Sequence, residues 1–271
     1  MLNFGVMQGR LTDKGGFFPQ KFPWDNWQEE FFLARDMGFD SLEWMFNNER
    51  WEENPIVTEA SLPDVQKCIR ATGVSVSGIC ANYFMNHCIY DSNADAKKKN
   101  GYILGMLAKN ADKIGCANII LPMFGESGGL FEKEIFWKEM CLLCNEIEWG
   151  DVRILIETDA PMHTVGNFLM QDTVVWIGIC YDMGNAAGLG KDVLYEMQTY
   201  SALIGEYHIK DKKRGKSTVM LGEGDVPYQE CVDWLMEHES EAPLILESYY
   251  GEHAVEDTKK NLQFVKDQMK K

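Results

Sequence analysis

Short apolar runs alternate with longer amphipathic stretches along nearly the whole chain. The runs at 3–7 (NFGVM), 41–46 (SLEWMF), 74–80 (VSVSGIC), 118–122 (NIILP), 152–157 (VRILIE), 174–182 (VVWIGICYD), 205–209 (GEYHI) and 244–247 (LILE) predict strands. They are too short for helices and are bounded by polar or Gly-containing links. Between them, helical patterns lie near 26–38, 61–72, 95–115, 131–148, 191–203, 228–238 and 255–269, with a shorter helix at 161–171. Strands separated by helices require crossover connections and therefore a parallel sheet. Eight such units most naturally close into an α/β (β/α)8 TIM barrel, a single domain spanning residues 1–271. A doubly wound open sheet is the alternative. It usually announces a Gly-rich phosphate loop after the first strand, and "MQGRLTDKGG" lacks that spacing.

Composition narrows the classes. Against 42 acidic residues there are 26 basic ones, a net charge of −16. Non-specific nucleic-acid binding depends on Lys and Arg neutralising phosphates, so no nucleic-acid partner is expected. No apolar run reaches 18 residues and the N-terminus shows no signal-peptide pattern, so no membrane partner and a cytoplasmic location are expected. The eight cysteines are scattered through apolar runs and read as free core thiols. Cys141 and Cys144 form a CxxC inside a helical pattern without a second pair, which reads as helix core.

The candidate chemistry lies at the ends of the late strands. Strand five ends in Glu157 ("ILIETD"), strand six in Asp182 ("ICYDMGN"), strand seven in His208 ("EYHIKD") and strand eight in Glu247 ("LILESYY"). Each ionisable residue directly follows an apolar run, and a barrel carries its chemistry at the C-terminal strand ends. Taken singly, the acids read as caps or Asx turns and the histidine as a core residue. As a set they place three carboxylates and an imidazole at one barrel mouth. Carboxylates gathered in a low-dielectric site resist ionisation, and a divalent cation removes the conflict. Three oxygens and one nitrogen suit Mn2+, with Mg2+, Co2+ and Zn2+ as alternatives.

This set resembles the xylose isomerase-like barrel family of sugar and sugar-phosphate isomerases and epimerases, which places Glu, Asp, His and Glu at strands five to eight around one divalent metal. The blocks "YDMGNA", "HIKD" and "LGEGDVPY", with the openings "FGVMQGRL" and "FPWDNWQEEFFLARDMGFDSLEW", are similar to its L-ribulose-5-phosphate and L-xylulose-5-phosphate 3-epimerase branch. The resemblance implies a metal held by Glu157, Asp182, His208 and Glu247. It further implies a sugar or sugar-phosphate substrate passing through a cis-enediolate, with Glu157 and Glu247 as the catalytic acid–base pair. It leaves a homodimer or a homotetramer open. In one place the chain departs from the pattern. D-tagatose 3-epimerase and its relatives carry a histidine three positions after the strand-six aspartate, where this chain has Asn185. The extra histidines of the zinc endonucleases on this fold are also missing, with His87 a poor substitute.

Alternation along a strand puts His208 and Lys210 on one face, so Lys210 is expected to lean over the cavity and hold a substrate oxyanion or phosphate. Asp211 is expected to point away and brace the next loop. Glu43, an acid inside "SLEWMF", Asn185 and Arg10 are candidate substrate contacts. Trp44, Tyr83 and Phe84 read as wall or core. Two other readings use the same chain. One is a dehydratase or isomerase of an inosose- or hydroxypyruvate-type keto-polyol; the other is a non-catalytic sugar-binding barrel, which predicts no bound metal.

Overall fold

The computed structural model describes residues 2–12, 21–90, 93–170 and 176–270. Eight parallel strands close into a barrel: β1 (Phe4–Met7), β2 (Ser41–Met45), β3 (Ser75–Cys80), β4 (Asn118–Met123), β5 (Arg153–Thr158), β6 (Ile177–Asp182), β7 (Ile204–Ile209) and, last in the chain, β10 (Leu244–Leu246). Two short antiparallel strands, β8 (Asp211–Lys212) and β9 (Thr218–Val219), form a hairpin between β7 and the next helix. The barrel closes through β1 paired with β10, with Phe4 opposite Leu244 and Val6 opposite Leu246.

The helices outside are α1 (Trp27–Met37), α2 (Leu62–Thr72), α3 (Tyr83–Asn86), α4 (Ala94–Ile114), α5 (Glu134–Glu146), α6 (Met162–Leu169), α7 (Met183–Gly188), α8 (Val193–Tyr200), α9 (Tyr228–Glu237) and α10 (Ala254–Gln268). Local signals place their ends. The Asn93 side chain accepts from the amides of Asp95 and Ala96 and starts α4. Gly38 adopts the left-handed conformation that stops α1 and returns its N–H to the carbonyls of Ala34 and Arg35. None of the described helices is long and apolar enough to cross a membrane.

Strand alternation divides the core in two. Outward residues such as Leu42, Trp44, Ile119, Ile154 and Ile156 join the helices in one large apolar cluster. At β2 this layer is aromatic: Trp44 lies 5.3 Å from both Phe22 and Trp27, between the barrel and α1. Inward residues Ile120, Leu155 and Cys180 form a separate small cluster inside the barrel. Above it the lumen is polar. Gly78 leaves room beside the cluster, since a Cβ would meet Ile120 Cδ1 at 2.6 Å and the Glu206 carboxylate at 3.2 Å.

The predicted strands match the barrel, except that positions 174 and 175 of the sixth run and position 171 of the shorter helix lie outside the described residues. The stretch predicted as one helix at 131–148 divides into a 3-10 turn, Gly128–Glu132, and α5. Lys133 between them is extended, and the Trp137 indole donates to the Phe131 carbonyl across the break at 2.9 Å. The helices α3 and α7 and the β8–β9 hairpin were not anticipated. Each is too short to carry a hydrophobic period. The eight cysteines are all free, six of them buried, with Cys88 and Cys141 half-buried.

Candidate functional site

The last inward residues of the late strands meet at the C-terminal mouth. Register makes this so: Asp182 lies opposite His208 across the β6–β7 pair, and Ile245 opposite His208 across β7–β10, which puts Glu247 two residues further toward the mouth. One ligand atom from each of Glu157, Asp182, His208 and Glu247 lies within 4.8 Å of the others, and all four residues are buried. His208 Nδ1 is 3.1 Å from Glu247 Oε2 and 3.7 Å from Glu157 Oε1. That nitrogen makes no well-aligned hydrogen bond.

The "DMGN" block is a local device. Asp182 ends β6 and caps α7, its Oδ1 accepting from the Asn185 amide at 2.8 Å. Gly184 lets α7 pack on the backbone of Lys210, since a Cβ would lie 2.5 Å from the Lys210 carbonyl oxygen. The turn points the Asn185 amide at Glu157 Oε1, 3.3 Å away, while its oxygen accepts from Lys212 Nζ.

Lys210 is buried on the cavity floor. Its ammonium bonds Asp182 Oδ2 at 2.8 Å and Glu247 Oε2 at 2.7 Å, so it is committed to the carboxylates that flank the ring. Burial disfavours its charge, but Asp182, Glu247 and Glu157 outweigh that and hold it above its ordinary value. Burial also works against ionisation of Glu247, yet Lys210, His208 and Arg10 keep its carboxyl well below the usual range. Burial raises Glu157, against His208, with Glu247 and Asp182 adding repulsion. For His208, burial disfavours the imidazolium, and Cys180, Glu43 and Glu157 together hold the ring well above its ordinary value.

Two expected substrate contacts lie behind the mouth. Glu43 is fully buried, with its carboxylate 3.1 Å from His208 Nε2, the nitrogen that faces away from Glu157 and Glu247. Arg10 is buried behind Glu247, its Nη2 3.6 Å from Oε1 and its guanidinium over the Tyr250 ring. Neither lines the cavity above the four strand ends. That cavity, about 540 Å³, is walled by Met7, Cys80, Met85, Phe124 and Leu189 on its apolar side. Glu157, Asn185, Lys210 and Glu247 form its floor, and Lys212, Lys216 and Thr218 from the hairpin form another wall. Larger hollows lie elsewhere, about 1170 Å³ along α4 and about 730 Å³ at the opposite mouth around Asn118 and Arg153. Neither contains a cluster of metal-ligating side chains among the described residues.

Glu206 was not anticipated. It sits one inward position below His208 on β7, fully buried, with Oε1 3.6 Å from His208 Nε2 and Oε2 accepting from Asn118 at 3.4 Å. Burial, with repulsion from Glu43, raises it to about 7. The alternation Glu206, His208, Lys210 in "GEYHIKD" was the signal available for it. Asp211 points away from the site. Its carboxylate accepts from the amides of Gly222, Gly224 and Val226 and braces the loop before α9. His87 stacks on Tyr83 and bonds Asn48, away from the strand ends.

The donor set fits a divalent cation. Glu157, Asp182 and Glu247 bring carboxylate oxygens, and His208 brings an Nδ1 with no hydrogen bond, to within 4.8 Å of one another, and a cation there would offset the cost of ionising the buried acids.

Comparison with known proteins agrees with this architecture. A family model described as a xylose isomerase-like TIM barrel matches residues 31–268. No curated protein gives a significant sequence match. Similar solved structures include the probable 3-DHS dehydratase involved in petrobactin synthesis of Bacillus anthracis, with a TM-score of 0.73, 15% identity and coverage of 98% of this chain and 99% of that one. A D-psicose 3-epimerase with D-tagatose from Clostridium cellulolyticum H10 gives a TM-score of 0.73 and 12% identity over 99% of both chains. A xylose isomerase-like TIM-barrel protein from Mycobacterium smegmatis in complex with magnesium gives 0.67 and 15%, covering 99% of this chain and 98% of that one. At these identities the likeness is one of fold.

Proposed function

The chain belongs to the xylose isomerase-like TIM-barrel family, and from that premise we propose that it is a divalent-metal-dependent isomerase or epimerase of a ketose or ketose phosphate. The observation that carries this reading is the convergence of Glu157, Asp182, His208 and Glu247 below one cavity. In this reading these four residues hold a divalent cation, Mn2+ foremost and Mg2+, Co2+ or Zn2+ as alternatives, which supplies Lewis acidity to a substrate carbonyl and hydroxyl. Everything else falls to side chains. Glu157 and Glu247 flank His208 Nδ1 and serve as the acid–base pair. One carboxylate takes the proton from the carbon beside the carbonyl, and the electron pair left behind forms a cis-enediolate. The other returns a proton to the opposite face, so the product is an epimer of equal mass. Asn185 and the apolar wall orient the sugar. Lys212 and Lys216 stand where a terminal phosphate would be neutralised.

A second reading, dehydration of a keto-polyol, draws on Glu157, a carboxyl on the cavity floor that burial raises and that protonates a departing hydroxyl, which leaves as water. The two readings separate in D2O. With Mn2+ supplied, an epimerase exchanges one carbon-bound hydrogen for deuterium in a ketose or ketose phosphate at otherwise constant mass. A dehydratase yields a product lighter by one water. No exchange and no mass change across the panel would remove both.

A further inference from the structure

We propose that Glu30, on the inner face of α1, is a positioning residue that fixes the turn after β1 so that Arg10 is held against Glu247. This rests on reading Glu247 as one of the carboxylates that hold the cation. Glu30 is fully buried, and its carboxylate takes hydrogen bonds from both sides of Arg10. The Gly9 amide lies 3.0 Å from each oxygen, the Leu11 amide 3.2 Å from Oε1, and the Thr12 hydroxyl 2.9 Å from Oε1. Gly9 is left-handed at φ 82°, which turns the chain back over Glu30. From the other side, the Thr258 hydroxyl of α10 donates to the Arg10 carbonyl at 3.0 Å. The arginine backbone is thus pinned by two helices, and its guanidinium, 1% exposed, is left to meet Glu247 Oε1 and the Tyr250 ring.

Burying a carboxylate is a costly way to close a turn, since one hydroxyl or amide side chain satisfies a free backbone N–H at less desolvation cost. What a carboxylate adds is three donors organised around one residue. The residue so placed puts a fixed positive charge beside Glu247. A cation held by Glu247 feels that charge as repulsion, so Arg10 sets how tightly the site holds metal. Glu30 acts on the same quantity without touching the site.

Mn2+ titration of the purified, metal-stripped chain, followed by calorimetry or by the loss of free Mn2+ signal in electron paramagnetic resonance, tests this without any substrate. Arg10→Met is expected to tighten Mn2+ binding about three- to tenfold. Glu30→Gln, which faces an amide donor toward the Gly9 and Leu11 amides, is expected to tighten it in the same direction. The double variant is expected to be no tighter than Arg10→Met alone, because the two residues act as one unit. Thr258→Val removes the opposite anchor at small cost to the fold and is expected to give a smaller shift of the same sign. Wild-type affinity in folded Glu30→Gln and in Thr258→Val, with Arg10→Met shifted, would overturn the proposal and leave Glu30 a purely structural acid. So would additive shifts in the double variant. Failure of the wild type to bind Mn2+ at all is a separate result, one that removes the metal-site reading and this inference together.

Discussion

The early and late strands of the barrel share one backbone plan and deliver different chemistry to the same mouth. β1, β2, β3 and β4 bring Met7, Met45, Cys80 and Pro122 to their last inward positions, the first three almost wholly buried. β5, β6, β7 and β10 bring Glu157, Asp182, His208 and Glu247. Pro122 and Glu157 are directly opposite each other across the β4–β5 pair, so the change from wall to charge happens at one strand boundary. The apolar half lowers the local dielectric and shapes the cavity, which makes the acids of the other half costly unless a cation joins them. The exception in the early half supports the division: Glu43 is an acid, but it faces His208 Nε2 rather than the cavity.

Substitutions at the late ends are expected to break the chemistry and leave the fold. Glu157→Gln and Glu247→Gln each keep shape and one oxygen ligand but lose basicity. Turnover is expected to fall by ~10²–10⁴ with thermal unfolding little changed, measured by steady-state kinetics beside a melting curve. With one base per face, each variant should fail to exchange solvent deuterium into one epimer, and not the same one. A single residue governing exchange in both epimers would contradict the two-base mechanism.

The next contrast runs along one strand. Leu155 and Glu157 share the inward face of β5, but Leu155 packs with Ile120 and Cys180 inside the barrel. Leu155→Ala is expected to cost about 2–5 kcal/mol in urea unfolding. Equal losses from Leu155→Ala and Glu157→Gln would erase the distinction between packing and chemistry along that strand.

A pH dependence separates Glu30 from its surroundings. Burial raises its carboxyl from 4.5 to about 7, against hydrogen bonds from Gly9, Thr12 and Leu11 that lower it. Because the folded value lies above the unfolded one, the stability this group contributes is full below pH 4.5 and is lost as the pH rises through about 7. The difference in unfolding free energy between wild type and Glu30→Gln should therefore shrink from pH 4.5 to pH 8, by ~3 kcal/mol at most. A difference that stays flat or grows across that window would contradict the assignment.

The smallest effect is expected outside the mouth. Asp211→Asn loses part of the brace on the loop before α9 and should cost about 1–3 kcal/mol, with faster amide exchange at Gly222 and Gly224. Unchanged exchange there would mean that the loop holds itself.

The strands were legible because each is a short apolar run with its own punctuation, and the meeting of Glu157, Asp182, His208 and Glu247 was legible because four of those runs stop on an ionisable residue. What could not be read depends on depth and pairing. "SLEWMF" shows an inward acid at Glu43, but not that His208 Nε2 lies across the barrel from it. Arg10 is recognisable as a charge after β1, but its burial under Glu247 depends on Glu30 and Thr258, residues 20 and 248 positions away. Lys210 was expected to reach for substrate. Its neighbours Asp182 and Glu247 come from other strands, and their hold on its ammonium exists only in three dimensions. Glu206 stands on the same alternation that places His208 and Lys210, but its full burial beneath the histidine depends on depth in the barrel.

The most direct test is the number of divalent ions bound per chain, measured by Mn2+ titration of the metal-stripped protein and of single variants from the two halves. One tight site is expected in the wild type, with its loss in Asp182→Ala and His208→Ala while the barrel stays folded, and its retention in Met7→Ala and Met45→Ala. Full Mn2+ occupancy in folded His208→Ala, or no tight site in the wild type, would contradict this expectation.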